Sequence, residues 1–187
     1  MEAAWHDGAV DDHGLVTVVL AGDRDAFRQL VEREQVTVYR VCLRILGRPH
    51  DAEDVAQESF VIAYRSLGTY RGDGPLGGWL MRIAMRQAYR RLGQRRELSE
   101  LPPEVPMANS ESDPVAATLV SERQREVRQA VAALRDPYRE VVALRFFGEM
   151  SLDEIATTTR RPLNTVKTHL RRGLERLRPL LGREVAA

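Results

Sequence analysis

The stretch from Ser151 to Arg178, SLDEIATTTRRPLNTVKTHLRRGLERLR, limits what this chain can fold into more than any other part of it. Ser151 and Glu154 have the spacing of a capping box, in which each side chain satisfies a backbone N–H at a helix start. The helix this predicts carries Leu152, Ile155 and Ala156. Pro162 suits the first turn of a second helix, because the N–H it lacks would be unpaired there anyway. In that second helix Leu163, Val166, Leu170, Leu174 and Leu177 recur at three- and four-residue spacing and form one apolar stripe. Thr165, Thr168 and Arg172 fall opposite, flanked by Asn164 and Arg171 on one side and His169 and Arg176 on the other. Taken alone, the second helix also fits an amphipathic element with a solvated basic face. With a capped helix in front of it, the pair reads as a helix-turn-helix of the kind that enters a major groove.

Net charge is only +1, which argues against a uniformly basic coat, but the charges are segregated along the chain. Six arginines and no acid lie between Arg82 and Arg96, and five acids and no base between Glu97 and Asp113. Seven bases stand against one acid from Arg160 to Arg178. Two basic modules therefore flank an acidic connector. A chain of 187 residues suits one or two small domains. No run approaches transmembrane length, and the acidic MEAAWHDGAVDDHG start is unlike a signal peptide, so no membrane insertion and a cytoplasmic location are expected. Cys42 is the only cysteine, which rules out an intrachain disulfide and reads as a buried hydrophobe.

Residues 1–14 read as a disordered acidic tail. Asp25 to Leu46 reads as a helix ended by Gly47 and Pro49, and a second helix opens at DAEDVAQESFVIAYRSL with its acids in the first turn. Asp54, Glu58, Val61 and Arg65 share one stripe of it, either a solvated face or a docking surface. Its four acids do not make a di-metal site, since the Glu-x-x-His pairs that such bundles use are missing. His50 reads as a neighbour of the helix cap.

The glycine-rich GTYRGDGPLGG reads as a flexible loop carrying Tyr70 and Arg71. It leads into WLMRIAMRQAYRRLGQRR, where Trp79, Leu80 and Ile83 supply a core face and Arg82, Arg86, Tyr89 and Arg90 a neighbouring cationic stripe. Cations that track phosphates beside an aromatic ring suit single-stranded nucleic acid; a merely basic exposed helix is the alternative. From Gly93 to Pro114 the prolines predict a linker through which helix does not persist. Beyond it Val120, Val127, Val131 and Leu134 mark a helix face, Asp136 and Pro137 restart a helix through YREVVALRFFG, and Gly148 is a natural stop.

The succession DAEDVAQESFVIAYRSL, WLMRIAMRQAYRR, an acidic proline-rich linker, LRDPYREVVALRFFGEMSLDEIA and PLNTVKTHLRRGLERLR resembles the extracytoplasmic-function group of sigma-70-family sigma factors. The resemblance runs over nearly the whole chain from about Leu15. It implies an all-α protein of two small helical domains joined by a flexible linker, the C-terminal one a helix-turn-helix. The corresponding division is a tail over 1–14, a domain over 15–97 that binds core RNA polymerase and the minus-ten element, a linker over 98–114, and a domain over 115–182 that binds the minus-thirty-five element.

By the same resemblance, Asp54, Gln57 and Glu58 match the surface that docks on core RNA polymerase. Tyr70, Trp79, Arg82, Arg86, Tyr89 and Arg90 fall in the elements that capture the opened minus-ten strand of promoter DNA. Lys167, Thr168, His169, Arg171 and Arg172 match minus-thirty-five positions, to which the outward face adds Thr165. Lys167 lies nearer the apolar stripe and is expected on a phosphate rather than a base. An anti-sigma factor is an expected partner, and no cofactor is implied. Two departures from the family pattern stand out: Arg160 where the turn commonly has Gly, and Arg86 where relatives often have Asn.

An operator-binding regulator with an N-terminal sensor domain would explain the helix-turn-helix equally well. It gives no account of Tyr70, Arg82, Arg86 and Tyr89 beside a glycine-rich loop. A purely helical interaction protein leaves both arginine clusters unexplained. Enzymatic activity is not expected, because the sequence has no phosphate loop, metal cluster or nucleophile with an adjacent base.

Overall fold

The longest helices start and stop on local chemistry that is visible in the sequence. In the computed structural model, which describes residues 12–98 and 114–181, Asp23 Oδ1 accepts from the backbone N–H groups of Asp25 and Ala26 at 2.8 and 3.1 Å. It thereby caps helix α2 (Arg24–Leu46), which ends at Gly47 in the left-handed region at φ 70°. Helix α3 (Pro49–Ser66) begins two residues ahead of Asp51 because Pro49 takes its first turn. A 3-10 turn (Leu67–Thr69) and the glycine-rich loop then lead to α4 (Leu76–Leu98).

Helices α2, α3 and α4 pack on one another around Val38, Val41, Ile45, Val55, Leu80 and Met81, all essentially without solvent contact. Each such side chain contributes about 1.5–3 kcal/mol by leaving water. In front of them lies α1 (Asp12–Leu20), whose Leu15, Val16 and Val19 bury against Leu30, Leu67 and Leu76. The tail expected over 1–14 is thus corrected at its end: Asp12, His13 and Gly14 are helical, since burying the apolar run behind them requires the helix to start there. Residues 1–11 lie outside the described part.

The linker expected from Gly93 is corrected as well, because α4 continues through Gly93 to Leu98. Gly93 is exposed with open space around it, so it costs that helix only the usual glycine penalty of about 1 kcal/mol. The prolines from Pro102 to Pro106 lie outside the described residues.

The C-terminal part comprises α5 (Pro114–Ala133), α6 (Tyr138–Phe146), α7 (Leu152–Thr159) and α8 (Leu163–Leu181). Ser151 and Glu154 form the expected capping box, with Ser151 Oγ accepting from Glu154 N and Glu154 Oε2 from Ser151 N at 2.7 Å. After α6 the left-handed residue is Glu149 rather than Gly148; Gly148 instead backs onto Leu144, where a Cβ would sit 2.8 Å from the carbonyl oxygen. Pro162 stands one place ahead of α8, its carbonyl accepting from Thr165 and Val166.

The apolar stripe of α8 differs in one position from its sequence pattern. Leu174 is 42% exposed, while Gly173 is buried where a Cβ would lie 2.7 Å from Val142. The close crossing of α6 at Gly173 turns the buried seam to Val166, Gly173 and Leu177. Helix α4 also packs on α6 and α7, so that Met85 of α4 and Leu144 and Met150 from the C-terminal part belong to one continuous core.

Candidate nucleic-acid interface

Along α4, residues 82, 86, 89 and 90 recur at helical spacing, and the fold gathers their side chains around one cleft of about 460 Å³. The opposite wall comes from the C-terminal part: Asp136, Arg139, Glu140 and Arg161. Arg86 and Arg90 are exposed. Tyr89 lies under the Arg139 guanidinium, whose carbon is 5.2 Å from the ring centre, and burial pushes its phenol well above the usual range.

Arg82 is held from across the cleft. Its Nε donates to Glu140 Oε1 at 3.1 Å, with Nη2 ion-paired to the same oxygen at 3.0 Å, and its Nη1 donates to the Thr158 carbonyl at 2.8 Å. Glu140 Oε2 faces Arg161 at 2.7 Å. Burial alone would raise the Glu140 carboxyl, but the two guanidinium groups outweigh it and hold the group below its ordinary range. A carboxylate thus occupies, between two arginines, the kind of seat that a nucleic-acid phosphate takes.

The remaining α4-side residues are grouped elsewhere. Tyr70 and Trp79 meet edge to face with centroids 5.9 Å apart, at the far end of the helix from Tyr89. The Tyr70 hydroxyl donates to the Gly74 carbonyl at 2.6 Å, which closes the glycine-rich loop on itself. The structure therefore divides the six sequence-identified residues into a loop pair, Tyr70 and Trp79, and a cleft set, Arg82, Arg86, Tyr89 and Arg90.

On α8 the outward face is open. Lys167, Arg171 and Arg172 are exposed, and Thr165 and Thr168 are half-buried, with Thr168 Oγ1 bonded back to Asn164 O at 2.8 Å. Arg171 pairs with Glu175 at 2.7 Å, one turn along. His169 turns inward instead, edge-on to Tyr138 at 5.7 Å, and its imidazole is pushed down by burial and by Arg161 and Arg172. Arg176 covers the same Tyr138 ring at 4.1 Å. The turn between α7 and α8 answers the question posed by Arg160: it adopts the left-handed conformation at φ 54°, ψ 42°. Arg160 N bonds to Thr157 O and Arg161 N to Ala156 O, the pattern of a Schellman motif with arginine in the glycine place.

Asp54, Gln57 and Glu58 are all exposed on α3, beside Val61 at 48% and Tyr64 at 42% exposure. Asp54 also meets Arg91 of α4 at 3.2 Å and His50 at 3.3 Å.

Residues 30–97 match the family model of sigma-70 region 2, and residues 124–177 that of sigma-70 region 4. The chain is 33% identical to the extracytoplasmic-function sigma factor SigW of Bacillus subtilis, an alignment over 87% of this chain and 92% of that one. The chain belongs to the extracytoplasmic-function sigma factors of the sigma-70 family. It is also 33% identical to the RNA polymerase sigma-H factor of Pseudomonas aeruginosa, over 91% of this chain and 95% of the relative. Among solved structures, CnrH in complex with the cytosolic domain of CnrY aligns over 92% of this chain and 98% of its own with a TM-score of 0.59 at 25% identity. The sigma factor RpoE of Bartonella quintana shares the fold, with a TM-score of 0.53 at 19% identity over 86% of this chain and 98% of its own. This sigma factor is therefore a transcription initiation factor whose partners, at the level of the family, are core RNA polymerase and promoter DNA. Among the described residues no helix is long and apolar enough to cross a membrane.

Sequence reasoning missed Glu140 as the partner of Arg82, Arg161 as the second cation on that carboxylate, and Arg139 over the Tyr89 ring. One signal was available: Glu140 shares a helix face with Ala143, Leu144 and Phe147, and an acid on an apolar face needs a counter-charge.

Proposed function

We propose that this sigma factor divides its work between the domains expected over 15–97 and 115–182. The first docks on core RNA polymerase through Asp54, Gln57 and Glu58 and captures the opened minus-ten strand with Tyr70, Trp79, Arg82, Arg86, Tyr89 and Arg90. The second reads the minus-thirty-five duplex through Thr165, Thr168, Arg171 and Arg172, with Lys167 on a phosphate. His169, turned toward Tyr138, acts there by holding the reading helix. The linker over 98–114 follows the transcript's exit path, where its acids face a basic channel. An anti-sigma factor that engages both domains completes the partner set, a reading supported by CnrH having been solved with CnrY.

The observation that carries this reading is the grouping of three arginines and Tyr89 around one cleft of α4. Unpairing bases costs a few kcal/mol, about the scale that stacking on an aromatic face returns at 1–3 kcal/mol per base. Phosphate contacts with the arginines add a salt-dependent term. A strand enters the cleft only when Arg82 exchanges the Glu140 carboxylate for a phosphate, so capture requires α4 to part from α6 and α7. Polymerase, by holding the two domains at separate promoter elements, supplies that separation.

Size-exclusion co-elution with sigma-free core RNA polymerase at near-physiological salt tests the reading. A stoichiometric complex that initiates transcripts with common upstream elements is the expected result. A folded protein that does not co-elute would overturn it in favour of an operator-binding regulator.

A further inference from the structure

The glycine-rich loop of the proposed strand-capture site is anchored from outside the segment that matches region 2. Asp12, the first residue of α1, reaches the beginning of α4: its Oδ2 accepts from the Leu76 backbone N–H at 2.8 Å. Its Oδ1 pairs with Arg33 Nη2 at 3.1 Å, and Arg33 Nε donates to Glu34 Oε1 at 2.9 Å. Glu34 is buried on α2 and lies against Gly77, where a Cβ would come within 3.0 Å of its Oε1. The next residue of α1, His13, stands against the loop itself. Its ring lies 6.1 Å from that of Tyr70, and a Cβ on Gly72, whose φ is +75°, would run into it.

The first backbone N–H groups of a helix need acceptors, and a carboxylate there also complements the helix dipole. Ordinarily the residue just before the helix serves; here that place is Pro75, which has no side-chain oxygen. The acceptor comes from 64 residues away instead. Fixing Leu76 fixes the end of the loop from Tyr70 to Pro75, and the loop is the only covalent path between Tyr70 and the arginines of α4.

We propose that Asp12 is a positioning residue for strand capture: it holds the start of α4, and with it the Tyr70 loop, in the geometry that receives the minus-ten strand. This rests on the strand-capture function proposed for α4. The residue touches no nucleic acid in this account, and its contribution is the preorganisation of the side chains that do.

The test uses holoenzyme assembled from the full chain and core polymerase, on a promoter identified from transcripts of the wild-type holoenzyme. Three affinities are compared for wild type, Asp12→Ala and Asp12→Asn: for core polymerase, for a duplex minus-thirty-five fragment, and for a single-stranded minus-ten oligonucleotide. Asp12→Ala is expected to weaken single-strand capture about tenfold or more and to leave the other two affinities within about twofold. Asp12→Asn keeps an acceptor for Leu76 but loses the ion pair, and is expected to recover at least half of the lost capture on a logarithmic scale. Equal losses in all three affinities, or a lower melting temperature that accounts for the loss, would make Asp12 a general fold residue and overturn the proposal. Unchanged capture in Asp12→Ala would also overturn it. Failure of the wild-type holoenzyme to form or to capture the strand would instead overturn the function proposed for α4, so the two failures are distinguishable.

Discussion

The two helices proposed to face DNA in this sigma factor are built alike and presented differently. Both α4 and α8 set a buried seam against an outer face rich in arginine. On α8, Lys167 and Arg172 project into solvent. On α4, the corresponding face looks across a cleft at another part of the same chain, and Arg82 is committed to Glu140 and the Thr158 carbonyl. A duplex reader can stay exposed at little cost, since free duplex binds it weakly until a second contact aligns it. A single-strand reader left open would bind unpaired nucleic acid of any sequence, because stacking and phosphate contacts discriminate poorly among strands. What separates the faces is the source of the counter-ion seated on them: Glu175 beside Arg171 belongs to α8 itself, whereas Glu140 on Arg82 comes from across the cleft.

Removing that counter-ion is the change with the largest expected effect. Glu140→Ala leaves Arg82 and Arg161 facing each other in a partly buried cleft, and deleting one partner of such a pair costs about 3–5 kcal/mol when burial is complete. Glu140 keeps 21% exposure of its side chain, so about 2 kcal/mol, roughly thirtyfold in the closed-to-open ratio, is the expected loss. Labels on α3 and α8 should report a larger mean separation, and the free protein should bind single-stranded oligonucleotide more tightly. Unchanged separation would place the stability of the seam in the Met85, Leu144 and Met150 contact instead.

The same carboxylate gives the seam a pH dependence of defined sign. The Glu140 carboxyl is held below its ordinary value of 4.5, so its stabilisation is complete above that value and is lost as pH falls through the lower value of the closed form. Wild-type protein should therefore open on acidification below the ordinary carboxylate range, and Glu140→Ala should show no such step between the same labels.

Arg172→Ala tests the open face. Arg172 is exposed, so the substitution should leave the melting temperature essentially unchanged and cost about 1–3 kcal/mol in duplex affinity of the holoenzyme. An effect that is equal on every upstream sequence would make it a phosphate contact rather than a base reader.

The open face was legible in the sequence and the closed one only in part. Periodicity sufficed for most of α8 because its partner, α6, is close in sequence and the capping box fixes its neighbour; Leu174 and Gly173 exchanged places through a close crossing that no pattern encodes, and His169 turned from the outer flank onto Tyr138. On α4 the stripe of Arg82, Arg86, Tyr89 and Arg90 was equally plain. The counter-charge of Arg82 lies 58 residues away in Glu140, which also holds Arg161, and contacts of that separation leave no periodic trace in one sequence. Asp12 was hidden for the same reason, read as part of an acidic tail because its partners Arg33 and Leu76 are distant in the chain.

The smallest expected effect is at Arg160, which touches both regions. Its left-handed backbone costs a residue with a side chain about 1 kcal/mol relative to glycine. In return its Nε meets Asp73 of the glycine-rich loop at 2.6 Å, a bridge from the turn of the helix-turn-helix to the capture loop. The pair is about half exposed on both sides, where such bridges contribute about 0–1 kcal/mol. Arg160→Gly should therefore raise the stability of the C-terminal helices by up to about 1 kcal/mol, less the greater entropy that glycine gives the unfolded chain. It should also weaken the seam slightly, in the same direction as Glu140→Ala but by less. Loss of stability in thermal unfolding that Asp73→Ala reproduces, at a site where no glycine is introduced, would mean that the Asp73 bridge outweighs the backbone strain. The arginine would then stand in the turn because it ties the open reader to the closed one.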